Sequence, residues 1–369
     1  MITHVEQSRR WLTDLHTAAA AVARPVAFME VCGTHTVSAF RCGLNSLMPG
    51  NVRLISGPGC PVCVTSQGDI DQLITLASRP RVTLCTYGDM LRVTGSDRSS
   101  LEAARGAGAD VRIIYSALDA VRIAQQFPTR QVVLAAVGFE TTTPATAVAV
   151  LEAERLALAN LTVFASHKQV IPAMRALLNS GDVAIDGFLC PGHVSIIIGS
   201  DVYRQIVADY RIPCVVVGFE DFQIAEGVAA LTDLVRRGAA ELVNLYPEAV
   251  GPTGNLRAMR LIDEVFETCD ERWRGLSCLP ASGRRLRARF TPFDARRRFD
   301  LQPIDVPDPA GCRCGDVITG RCTPADCRLF ATACTPVHPV GPCMVSSEGT
   351  CQAHFKYGRR SPLRAEVTT

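Results

Sequence analysis

Short apolar runs recur through the first two thirds of this chain, each closed by a glycine- or threonine-rich turn and followed by a helical pattern. The first four runs cover residues 26–31, 52–56, 82–86 and 111–115, with helical patterns at 37–42, 69–77, 99–107 and 118–126. An opening helix is expected over 5–22, with Trp11, Leu12 and Leu15 on one face. The pattern restarts with strands expected at 132–137, 161–166, 187–189 and 214–217. Helices are expected from 145 to 158, at 171–178, 202–210 and 224–237, and again at 256–266. Buried strands separated by helices cannot pair as simple hairpins. They predict an α/β fold of parallel sheets covered by helices. Gly-Phe-Glu follows a buried strand twice, at Gly138 and Gly218, which is too short a match to establish a repeat.

The last third differs. Residues 280–310 are rich in arginine and proline, read as a solvated extended segment against acidic neighbours or as a docking surface. Beyond Gly311 the chain is mostly turns and cysteines, with too little apolar periodicity for a core of its own. A metal site would supply the missing constraint.

The charge balance, 38 basic against 36 acidic residues, predicts no general attraction to nucleic acid or to anionic membrane. No apolar run reaches the ~18–20 residues of a membrane span, and the first ten residues lack a signal-peptide core. A cytoplasmic location follows as the expectation, and structural disulfides are rare there. Sixteen cysteines must then serve packing, metal binding or catalysis. Cys85, Cys190, Cys214 and Cys269 are scattered and read as small core hydrophobes.

Ten others form two groups. Near the start, Cys32 lies in Val-Cys-Gly-Thr-His-Thr, and Cys60 and Cys63 lie in Gly-Pro-Gly-Cys-Pro-Val-Cys. Both loops follow expected strands, at the edge where open α/β sheets bind ligands. A helix start just beyond Cys32 would favour a thiolate. Thr34 and Thr36 are expected to cap that helix, and His35 to hydrogen-bond Cys32 or move a proton. Cys60 and Cys63 fit a thioredoxin-type redox pair or two metal ligands. If the two loops sit on adjacent strands, all three sulfurs meet at one edge.

The second group is Cys312, Cys314, Cys322, Cys327, Cys334, Cys343 and Cys351. Four thiolates hold a [4Fe-4S] cluster or a structural zinc. The spacing matches neither compact ferredoxin runs nor paired zinc knuckles. Cys327, Cys334 and Cys351 are the expected ligands, with Cys314, or Cys312 in its place, as the fourth.

In combination these stretches resemble the HypD family of [NiFe] hydrogenase maturation factors. The match is carried by Cys32-Gly-Thr-His-Thr36, Gly57-Pro-Gly-Cys-Pro-Val-Cys63, Thr86-Tyr-Gly-Asp-Met90 and Gly138-Phe-Glu-Thr-Thr142. It continues through His167-Lys168, Pro191-Gly-His-Val-Ser195, Gly218-Phe-Glu220 and Trp273-Arg-Gly275. It ends with Cys312-Arg-Cys-Gly315, Cys334-Thr-Pro336 and Gly341-Pro-Cys-Met-Val-Ser-Ser-Glu-Gly349. Thr94, Ile171 and Asp221 stand at turn positions where the family favours proline, and Cys322 is particular to this chain.

The resemblance implies two parallel-sheet α/β domains facing a cleft, plus a C-terminal cysteine-rich α+β domain with a [4Fe-4S] cluster. The divisions expected are 1–128, 129–245 and 246–369. It implies a scaffold on which iron carrying CO and two cyanides is assembled. A HypC-type small chaperone is the implied partner, and HypE, supplied by HypF, is the implied cyanide donor. The finished group passes to the hydrogenase large-subunit precursor. Cys32 would be the principal ligand of that iron, shared with a chaperone cysteine. Cys60 and Cys63 would bind the same iron or cycle as a disulfide. His35 would tune Cys32 or move protons, and Glu140 and His193 would line the cleft. The bland readings are a helix cap for Glu140 and a hydrogen-bonded loop residue for His193. The rival reading for the whole chain is a stand-alone thiol–disulfide oxidoreductase using Cys60 and Cys63, and a zinc-stabilised binding protein is a third. No P-loop or dinucleotide fingerprint is present.

Overall fold

A computed structural model describes residues 4–358; the extreme ends of the expected first and third divisions lie outside the described residues. The chain is α/β, with two sheets of mostly parallel strands. The strands are β1 (Val26–Glu30), β2 (Val52–Ser56), β3 (Val82–Thr86), β4 (Asp110–Ile113), β5 (Gln131–Gly138) and β6 (Leu161–Lys168). They continue with β7 (Gly187–Pro191), β8 (Cys214–Val217), β9 (Leu242–Asn244), β10 (Phe266–Trp273) and β11 (Ser277–Leu286). The expected strands from β1 to β8 all form. The short β9 and the β10–β11 hairpin were not anticipated: β9 has only three residues, and the charged residues of the hairpin hide its strand pattern.

The first sheet has the order β2-β1-β7-β8-β9, all parallel. The second has the order β10-β11-β6-β5-β3-β4. Strands β4, β3, β5 and β6 run parallel there, and the hairpin joins antiparallel through Gly283↔Lys168 and Arg284↔His167. Each sheet thus draws strands from both sides of residue 128. The chain leaves the first sheet after β2, builds four strands of the second, and returns for β7 to β9. Strand pairing therefore crosses the division expected from the restart of the sequence pattern.

Three layers of core follow from strand alternation. On β5, Val132, Leu134 and Ala136 pack outward beneath the helices Ala117–Gln126 and Thr143–Arg155. Val133, Ala135 and Val137 face the central core, which also receives Met29, Phe188 and Val216 from the first sheet. The outer face of that sheet, Val26, Phe28, Leu189 and Val215, is covered by the helices His4–Ala20 and Asp221–Arg236.

Part of the arginine-rich segment is tied down rather than solvated. Arg296 inserts against Phe164 and pairs with Asp69 at 2.8 Å, while Arg285 and Arg289 pair with Glu267 and Glu154 on the surface. Among the described residues, no helix is long and apolar enough to cross a membrane.

Candidate metal and thiol site

The carboxyl ends of β2, β1, β7 and β8 lie side by side in that order. They carry Cys60, Cys32, His193 and Phe219 within a few residues of the strand ends. Parallel pairing of β1 with β2 brings the two N-terminal thiol loops together, as the spacing predicts. The backbone of Gly59 lies directly on the N and Cα of Cys32, so a β-carbon there would collide with both.

Cys32 is itself the N-cap of the helix Gly33–Arg41, which starts four residues earlier than expected. Neither Thr34 nor Thr36 caps it. Thr34 Oγ1 donates to Glu348 Oε1 at 2.9 Å, and Thr36 Oγ1 donates back to the Cys32 carbonyl. The expected thiolate is not favoured. Burial pushes the Cys32 thiol up to about 12, and the Glu348 carboxylate adds to the rise. The nearby N–H groups of His35 and Thr34 act in the other direction and lose. Cys32 is therefore held as a protonated thiol at neutral pH.

His35 is fully buried, and its Nε2–H donates to the Gly218 carbonyl at 3.0 Å. A carbonyl only accepts, which assigns the proton to Nε2 and leaves Nδ1 a lone pair with no hydrogen-bond partner. Burial lowers its pKa to about 4, so the ring is neutral at pH 7. His35 and His193 both pack on Phe219, at 5.0 Å and 3.7 Å between centroids. His193 is exposed and belongs to the Cys32 edge. Glu140 does not. It follows β5 in the second sheet, and its Oε1 accepts from Val170 N at 3.0 Å, holding the start of the helix Val170–Ser180. Burial raises its pKa to about 7.

Glu348 was not singled out by the sequence reasoning. Its turn is anchored by Asp89, just beyond β3, whose Oδ2 accepts from Ser346 Oγ, Ser347 N and Ser347 Oγ. The second sheet thereby holds a carboxylate beside a thiol of the first. Gly33 permits this contact, since a β-carbon there would lie 2.6 Å from Glu348 Cβ.

Cys60 and Cys63 form a disulfide across the turn Pro61–Val64. That turn packs against two short helices of the cysteine-rich segment, Cys314–Ile318 and Pro342–Val345. Behind them lies a cavity lined by Cys312, Cys314, Cys327, Cys334, Cys343 and Cys351, and closed by Val317, Leu329, Phe330 and Met344. All the expected cluster residues reach this cavity.

Cys343 joins them, though it was not among the expected ligands. Its thiol is hydrogen-bonded with that of Cys314, and its Sγ accepts from Cys351 N at 3.1 Å. Its placement nine residues after Cys334 and eight before Cys351 was the available signal. Cys322 instead lines a separate surface groove with Arg53 and Asp326.

Burial pushes Cys312 up to about 12. The hydrogen bond with Cys343, then burial, raises Cys314 well above the usual thiol range. Among the described residues, no three His, Cys, Asp or Glu side chains converge on one point as a single metal ion requires. The six sulfurs surround a volume instead. A sulfur-lined space with apolar walls is compatible in donor chemistry with an iron–sulfur group, whose irons take thiolate ligands. Gly341 makes room for this packing, because a β-carbon there would lie 2.5 Å from Cys312 Sγ.

The profile of the HypD family, described as the hydrogenase formation hypA family, matches residues 6–358. The chain belongs to the HypD family. Hydrogenase maturation factor HypD2 of Bradyrhizobium diazoefficiens is 46% identical over 343 residues, covering 91% of this chain and 90% of that protein. Hydrogenase maturation factor HypD of Azotobacter vinelandii is 45% identical over 368 residues, covering 97% of each. HypD of Escherichia coli is 44% identical over 335 residues, covering 90% of each. The chain is thus a HypD-type hydrogenase maturation factor along nearly its whole length.

Proposed function

We propose that this HypD-family chain is the scaffold on which an iron bearing CO and two cyanides is assembled before transfer to the hydrogenase large-subunit precursor. The work takes place in the cytoplasm. The iron is cargo, and a HypC-type small chaperone shares it, with HypE, charged by HypF, as cyanide donor. The observation that carries this reading is Cys32, a buried thiol at a sheet edge with the Gly59–Cys60 backbone against it. Low-spin iron with cyanide and CO is a soft centre that thiolate ligands suit. Burial of Cys32 prevents adventitious oxidation of the empty site and keeps it protonated until metal arrives. The Glu348 carboxylate, held by Thr34, is the proton acceptor near Cys32, while the buried, neutral His35 is fixed on the Gly218 carbonyl and braces the loop cluster.

The resident cofactor in this reading is a [4Fe-4S] cluster held by four of the six cavity cysteines, drawn from Cys314, Cys327, Cys334, Cys343 and Cys351, with Cys312 as the alternative to Cys314. When bound, such a cluster supplies or accepts one electron at a time. The turn Pro61–Val64 packs on the cavity helices and follows the Gly59 contact with Cys32, which suits the Cys60–Cys63 pair to thiol–disulfide exchange near the cargo iron. The disulfide itself also favours the rival reading of a stand-alone oxidoreductase.

Infrared spectroscopy on the anaerobically purified complex with the chaperone decides between them. Bands of metal-bound CO and cyanide are expected in the wild type and absent in Cys32→Ala. A wild type without those bands, yet with thiol–disulfide exchange that survives Cys32→Ala, would remove the scaffold reading.

A further inference from the structure

Arg274 is a fully buried arginine. Its backbone N–H donates to the Val64 carbonyl at 2.9 Å, one residue beyond the Cys60–Cys63 disulfide. The next residue, Gly275, lies on Gly315, so close that a β-carbon at Gly275 would sit 2.6 Å from the Gly315 carbonyl oxygen. Arg274 therefore occupies the seam between the disulfide turn and the Cys312–Cys314 wall of the cysteine cavity. Its Nη1 pairs with Asp308, its Nη2 donates to Gln67 Oε1 at 3.0 Å, and its Nε has no hydrogen-bond partner.

A guanidinium stays charged at any working pH, and leaving one of its donors unpaired in a dry interior is costly. Its one counter-charge, Asp308, is about one third exposed and so is partly screened by water. Asp308 Oδ2 would lie 3.3 Å from a β-carbon on Gly315, the residue after Cys314, so the pair stands beside the sulfur-lined wall. A cluster with four thiolates becomes more negative on reduction, and a fixed positive charge in low dielectric stabilises that state.

We propose that Arg274 is an electrostatic partner of the cysteine-cavity cofactor that raises its reduction potential, with Asp308 opposing it. This rests on the reading that the cavity holds an iron–sulfur cluster. The sign of the effect separates an electrostatic role from a structural one. Arg274→Gln removes the positive charge and shifts the midpoint potential to a more negative value. Asp308→Asn removes the negative charge and shifts it to a more positive value. Arg274→Lys keeps the charge and restores a potential close to wild type.

The test is a redox titration of the reconstituted full-length protein, followed by visible absorption and electron paramagnetic resonance, with iron and sulfide content measured for each variant. Opposite shifts in Arg274→Gln and Asp308→Asn, with rescue by lysine, support the proposal. Equal potentials at equal cluster content, or shifts of the same sign in both variants, overturn it. Should Arg274→Gln fail to retain a cluster, Asp308→Asn keeps the arginine and still reads the sign. A wild type that takes up no iron and sulfide fails at the earlier step, and removes the cluster reading together with this one.

Discussion

Gly59→Ala tests the contact that joins the two N-terminal thiol loops. The added methyl would fall on Cys32 N and Cα and on the Val31 carbonyl carbon. All three are backbone atoms of a strand end, so no side-chain rotation relieves the clash. The loop after β2 must move away from the loop after β1, breaking packing and straining the Gly57 N–H to Glu30 carbonyl bond of 2.7 Å. Overpacking of this kind costs about 1–3 kcal/mol, which lowers the folded-to-unfolded ratio roughly 5- to 150-fold. Gly50→Ala is the matched control, because Gly50 is exposed and a β-carbon there meets nothing within 4 Å. Surface changes of that sort stay within about 0.5 kcal/mol. The assay is denaturant unfolding of both variants under reducing conditions with chelator, followed by infrared spectroscopy of the loaded complex. Gly59→Ala should lose stability and metal-bound CO and cyanide bands together. Equal unfolding midpoints for Gly59→Ala and Gly50→Ala would refute the claim that the loops are in backbone contact.

Other expectations follow from the same structure. Cys343→Ala should lose cluster iron and sulfide while Cys322→Ala keeps both; the reverse pattern in an iron and sulfide assay would contradict the assignment of the cavity. Asp69→Asn strips the half-buried Arg296 of its carboxylate partner and should cost about 1.5–3 kcal/mol in urea unfolding. Burial alone would raise the Asp69 pKa, but the charges of Arg296 and Lys168 outweigh it and hold it below the usual range. Its contribution is therefore present above ~4 and lost as pH falls further, so the gap between wild type and Asp69→Asn should narrow in acid. Burial pushes Cys85 up to about 12, which makes the folded state bind a proton that the unfolded chain releases above ~8.5. Stability should fall with rising pH in that range, and Cys85→Ala should flatten the decline by up to ~1.4 kcal/mol per pH unit; parallel alkaline limbs for the two proteins would count against a buried neutral thiol.

Much of the local structure was legible in the residues. Strands β1 to β8 announce themselves as apolar runs ended by turn residues, most clearly where, as in β1, β7 and β8, both faces are buried and favour apolar side chains. The hairpin β10–β11 did not. Its faces carry Glu267, Arg284 and Arg285, which pair across the surface instead of entering a core. At the site, the edge position of Cys32 and Cys60 followed from strand ends and was correct. The ionisation state of Cys32 was not legible. It depends on burial and on Glu348, a residue more than three hundred positions away that reaches the thiol only through Asp89 and the second sheet. Glu140, read either as lining the cleft or as capping a helix, accepts from Val170 N at a helix start, a partner thirty residues away that the sequence does not mark.

The sequence by itself determined the α/β class, the order of the elements, the two cysteine groups and the family, because propensity, hydrophobic period and motif are local properties of the chain. Tertiary structure decided which strands share a sheet, because pairing β1 with β7 rather than with a sequence neighbour depends on contacts some 160 residues apart. It also decided which cysteines surround one cavity, and which helical turn stands between them and Cys32. The thiols' protonation followed from the same packing, since burial and neighbouring charge act on a side chain only after the fold has brought them to it.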